Sequence, residues 1–65
     1  MFKFYKVVAQ DLNNAKVINF DTYENAHNWV MADNWYFEKA IFEVEIVAGK
    51  GGVLEENTEK VFEKN

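Results

Sequence analysis

The chain has no cysteine, no proline, no serine and no arginine, and it has a single histidine. Several of these gaps remove a class of chemistry. Without thiols there is no disulfide and no thiolate metal site, so two common staples of a small domain are missing. Without serine there is no serine nucleophile, and Thr22 and Thr58 have no histidine at motif spacing. His27 alone cannot assemble the three or four ligands of a transition-metal site. It reads as a packed side chain rather than a general base, which needs an oriented partner and a pocket. Long apolar runs are missing as well, since none approaches the roughly 20 residues of a membrane span. Met1 leads directly into a strand-like pattern instead of a charged segment and an apolar one, so no export signal is expected. These readings predict a cytoplasmic protein with no membrane partner.

Glycine is scarce, and all three copies fall in Gly49-Lys50-Gly51-Gly52. The run lacks the G-x-x-x-x-G-K-[ST] spacing of a phosphate loop and is followed by Val53, so a hairpin turn is predicted there. No cofactor or metal is expected, and no catalytic constellation stands out. The chain reads as a non-enzyme.

Positive charge is thin. Seven lysines face eleven acidic residues, for a net charge of −4. Residues 1–34 set Lys3, Lys6 and Lys16 against Asp11, Asp21, Glu24 and Asp33, a net −1. Residues 35–65 set Lys39, Lys50, Lys60 and Lys64 against seven glutamates, a net −3. That acidic half repels nucleic acid. The lack of arginine beside abundant Lys, Asn, Phe and Ile fits an AT-rich coding sequence, as in a low-GC bacterium or its phage. In the second case the working compartment would be the host cytoplasm.

What the chain has is aromatic surface. Eleven of its 65 residues are Phe, Tyr or Trp, and Trp35-Tyr36-Phe37 stand in a row. A single domain over 1–65 is expected, and at that size only about 60% of the unfolded chain's surface is buried. Each aromatic side chain brings roughly 150–250 Å². The supply of apolar surface therefore outruns the cover, which points to a partner.

Residues 2–10 read as a first strand, rich in aromatic and β-branched side chains. Asp11-Leu12-Asn13-Asn14 supplies a turn, with Asn and Asp tolerant of left-handed geometry, and residues 16–20 return as a second strand. Asp21 and Glu24 stand at capping-box spacing, so a helix is expected over 22–32, with Asn34 as a left-handed stop. Tyr23, Ala26, Trp29 and Val30 form its apolar stripe. From about Trp35 to Ala48 the pattern is strand-like, with Ala40, Phe42, Val44 and Ile46 as the core-facing set. Residues 53–56 begin a fourth strand, which the tail through Phe62 is expected to extend. The fold class is α+β: a β-β-α-β-β antiparallel sheet with a single helix packed on one face.

One short helix covers one face of such a sheet. The first strand is apolar on both sides, with Phe2, Phe4 and Val8 opposite Tyr5, Val7 and Ala9. A sheet with a solvated back shows cleaner alternation. The expected surplus lies on the back face, at Phe2, Phe4 and Ile41, while Trp35 and Phe37 close the core and Tyr36 keeps its hydroxyl wet. The expected function is a protein-binding module with Phe4, Trp35, Tyr36, Phe37 and Ile41 as contacts, since Trp and Tyr are enriched at binding hot spots. Glu43, Glu45, Glu55 and Glu56 would set charge complementarity. The partner is either a second copy or a basic target protein, as for a phage-type accessory protein that blocks a host enzyme. A homodimeric structural domain is the alternative. Two nucleic-acid readings rank lower. An acidic mimic would carry more charge, and a stacking platform would need a basic groove.

Overall fold

Four segments of the chain adopt extended backbone and pair edge to edge, the first three rich in apolar residues and the fourth mostly polar, as seen in a computed structural model that describes residues 2–65. Strands β1 (Phe2–Gln10), β2 (Ala15–Phe20), β3 (Glu38–Ala48) and β4 (Leu54–Lys64) form one antiparallel sheet in the order β2-β1-β3-β4. Helix α1 (Tyr23–Ala32) packs on one face. The class is α+β, as expected. Two hairpins, β1–β2 and β3–β4, meet along the β1–β3 seam, which runs from Phe2 opposite Ile46 to Gln10 opposite Glu38.

Local chemistry explains the connections. In the β1–β2 turn the Asp11 carboxylate accepts the backbone N–H groups of Asn13 and Asn14 at 2.9 and 2.7 Å. The turn is held by this side chain rather than by left-handed residues, and no described non-glycine residue has positive φ. At the start of α1 the cap is Thr22, not Asp21. Thr22 has extended φ/ψ, and its hydroxyl accepts the N–H of Asn25 at 3.1 Å. The helix ends at Ala32, as expected, but its cap is Asp33 with an extended backbone instead of a left-handed Asn34. In the β3–β4 turn, Gly51 and Gly52 sit at φ 75° and 80°, where a Cβ would be strained.

The core lies between α1 and the odd-numbered residues of the central strands. Val7, Ile41, Ala26 and Val30 are fully buried, with Tyr5, Phe20, Trp29 and Phe62 packed against them. The parity expected for β3 is therefore reversed. Val7 stands opposite Ile41, so Ile41 faces the helix, while Phe42, Val44 and Ile46 face away with Phe4 and Phe2. The reason is length. A ten-residue helix spans about 15 Å, roughly four or five strand residues, whereas β3 runs for eleven. One face of β3 is thus apolar at Ile41 under the helix and acidic at Glu43 and Glu45 beyond it.

A bulge in β4 completes the arrangement. Ile41 pairs with Phe62 and Phe42 with Lys60, leaving Val61 as the extra residue. Phe62 therefore turns toward the core while Lys60, two positions earlier, points to the other face. The domain is a slab of 44 × 25 × 14 Å. Its radius of gyration is 13.3 Å, against about 11 Å for a globular chain of this length.

Candidate functional site

Among the described residues, no element covers the face of the sheet opposite α1. Reading the register across the strands gives it row by row. Ala48 lies beside Leu54, and Phe2 beside Ile46 and Glu56. Phe4 lies beside Val44 and Thr58. Lys6 is flanked by Asn19 and Phe42, with Lys60 next in the row. Val8 is flanked by Val17 and Ala40, with Glu63 at the edge. Val44 is fully buried even without a roof, because it sits in the middle of this apolar set. Phe2 and Phe4 touch, with ring centroids 5.7 Å apart, and Phe2 remains 59% exposed. The Lys60 ammonium sits 5.9 Å from the Phe42 ring centroid and 3.5 Å from the Glu63 carboxylate.

The surplus on the back face is larger than the sequence predicts. Phe4 is where it was expected. Ile41 is not: it is sealed beneath the helix and cannot touch a partner. Phe42, Val44 and Ile46 take its place, and sequence reasoning had assigned them to the core. Glu43 and Glu45 mark the odd face of β3 as wet and so assign the even set to the core, yet they lie beyond the helix, and the same face is covered at Ile41. With alternation alone, both faces of β3 look equally apolar near Ile41.

The aromatic run does not enter a strand. Trp35, Tyr36 and Phe37 form the loop between α1 and β3, because Asp33 bends the chain there. Its carboxylate accepts the Tyr36 N–H at 3.0 Å. The buried Lys39, only 3% exposed, donates its ammonium to that carboxylate at 3.2 Å and to the Asp33 carbonyl. Helix α1 has no basic residue in its last turn, so Lys39 supplies from β3 the cation that its C-terminal carbonyls favour. The Tyr36 N–H, then Lys39, hold the Asp33 carboxyl below its ordinary pKa. Within the loop the expected inside–outside order is inverted. Tyr36 is half-buried against Trp29, at 6.4 Å between centroids, whereas Trp35 is 76% and Phe37 52% exposed. The Asp11 carboxyl is also held low, by the Asn13 and Asn14 N–H groups first and by the Trp35 indole last.

The glutamates divide between the faces. Glu43 and Glu45 lie on the helix side, beyond its reach, with Glu59 opposite Glu43 and Glu55 opposite Val47. Glu56 lies on the back face, opposite Ile46. Lys3 partly neutralises the first group, at 3.4 Å from Glu43 and 3.9 Å from Glu45. Glu43 accordingly raises the Lys3 pKa, with a smaller push from Glu45. Tyr5 also donates to Glu43, at 3.3 Å. His27 is stacked on Tyr23 at 5.6 Å and meets the edge of Phe62 at 4.9 Å, between helix and sheet. Among the described residues no His, Asp and Glu side chains are grouped to hold a metal, and no helix is long and apolar enough to cross a membrane. No protein family, curated protein or solved structure matches this chain.

Proposed function

We propose that this protein is a non-enzymatic protein-binding module that meets its partner through the uncovered sheet face. The observation that carries the reading is the apolar surface of Phe2, Phe4, Phe42 and Ile46, packed around the fully buried Val44, on the side without a helix. Two strands about 4.8 Å apart and five same-face rows about 6.7 Å apart, from Ala40 to Ala48, make it a strip roughly 10 by 30 Å, on the order of 300 Å². Exposed apolar patches beyond a few hundred Å² mark contact surfaces. The action is steric: a rigid slab covers a surface of its partner. A phage-type accessory protein that blocks a host enzyme inside the cell is one specific form of this reading, and the small acidic chain fits it.

The test compares partners held by the wild type and by Phe2→Glu/Phe4→Glu. Phe2 is exposed and Phe4 only half-buried, so circular dichroism should stay unchanged in the variant. The wild type is expected to retain its partner in stoichiometric amount, and the variant to release it. A folded variant that keeps the partner would show that the contact lies elsewhere.

A further inference from the structure

The back face is self-complementary about a single point, and that identifies what covers it. We infer that the partner is a second copy of this chain, packed face to face with its strands antiparallel and a two-fold axis running along the Phe4–Val44–Thr58 row. The inference rests on the reading of this face as a protein-binding surface. Turning one copy about that axis lays Phe4 on Phe4, beside the fully buried Val44 of each copy. It lays Phe42 on Ile46 and Ala40 on Ala48. These contacts are apolar on both sides, while at the β4 edge Glu63 comes over Leu54, and an isologous interface makes each unlike contact twice.

Charge fixes the choice of axis. Glu56 lies one row to one side of Thr58, and Lys60 lies one row to the other. The rotation therefore sets Lys60 of each copy over Glu56 of the other, twice, at the rim. It also sets the Lys6 ammonium against the exposed Phe2 ring of the second copy, in cation–π reach. No ion pair is made by Lys6 or Glu56 among the described residues of one chain. The other possible two-fold, along the strands between β1 and β3, lays Lys60 over Asn19 and pairs no charges. Face-to-face sheets pack about 10 Å apart with strands within about 30° of alignment, a geometry these twisted strands permit. The overlap takes in β3, β4 and β1 from Phe2 to Lys6, because all back-face rows of β2 lie on one side of the axis; about 400 Å² a copy buries on the order of 800 Å², the size of a weak, reversible interface. The slab is also two layers deep, and the second copy supplies the missing sheet layers of a sandwich.

Sedimentation equilibrium should give twice the 7.6 kDa chain mass for the wild type at high micromolar concentration. Glu56 and Lys60 are roughly 13 Å apart along β4, too far to pair within one copy. Lys60→Glu and Glu56→Lys are each expected to raise the dissociation constant about tenfold, since two rim pairs turn repulsive. The double swap should restore it, which no effect within one chain would do. Thr58→Cys, at an exposed position in a chain without cysteine, places its thiol opposite itself in the second copy. A bismaleimide of about 10 Å should then link the dimer, whereas β4 lies over β2 in the other two-fold and no link forms. A wild-type monomer, a double swap that fails to rescue, or an unlinked Thr58→Cys dimer would each overturn the inference. A monomer that still loses a foreign partner on Phe2→Glu/Phe4→Glu would overturn the self-pairing and leave the proposed function standing.

Discussion

Thr22 and Asp33 frame the helix, and each makes a contact that a single substitution removes. Thr22 is the cap that accepts the Asn25 N–H. Thr22→Ala is expected to cost about 1 kcal/mol. In a domain of this size that lowers Tm by about 4–8 °C. Asp21→Ala should stay within about 0.5 kcal/mol, since no cap bond is lost. Thermal melts of the two variants check the assignment, and equal losses would count against it. Asp33 is the acid-sensitive position. Its carboxyl is held below its ordinary pKa in the folded chain, so its contribution is present above about pH 4 and lost as pH falls through the folded value. Protonation withdraws the acceptor from the Tyr36 N–H and the counter-charge from buried Lys39. Tm should fall on the acid side in the wild type. Asp33→Asn should start lower at neutral pH and fall less, keeping the part due to Asp11.

Among the elements, β4 depends most on a single residue. Val61 is the extra residue that lets Phe62 face the core while Lys60 faces the opposite side. Deleting it restores strict alternation, so either Phe62 leaves the core or the outer part of β4 swaps faces. The deletion is expected to destabilise by several times the effect of Val61→Ala, and two-dimensional NMR would show shifts along all of β4. Much of the element order was legible in the sequence. The β1 and α1 periods, the glycine turn and the fourth strand all follow from local spacing. The facing of β3 was not, because it depends on where a helix stops above a longer strand. Ile41 and Phe42 are chemically alike and adjacent, and only tertiary cover tells them apart. The bulge was silent too, since nothing in Glu59-Lys60-Val61-Phe62 departs from ordinary strand composition. At the candidate site, Phe4 was legible from the two-sided apolarity of β1. Lys39 was not, because a lysine in a charged stretch gives no sign that it will be buried at a helix end.

For the whole molecule, the slab shape means that protection against solvent is uneven. The β1–β3 core beneath α1 is enclosed, while the β3–β4 hairpin extends past the helix toward the glycine turn. Amide hydrogen exchange should be slowest around Val7 and Ile41 and fastest at residues 50–57. Ile41→Ala, in the enclosed part, should cost about 2–5 kcal/mol. That is enough to unfold much of a small domain, and denaturant titration would show it. The seam between the two hairpins also sets the order in which the chain closes. Gln10 and Glu38 are the closest seam partners in sequence, and Phe2 and Ile46 the farthest. Closing the first loop costs about 0.4 kcal/mol less than closing the last, and Lys39 anchors the helix end beside it. Pairing is expected to zip from that end, with the aromatic end of β1 joined last, and pulse-labelled amide exchange during refolding would show protection at Gln10 and Glu38 before Phe2 and Ile46. On that order Phe2 and Phe4 would be the side chains that wait longest for a neighbour during refolding.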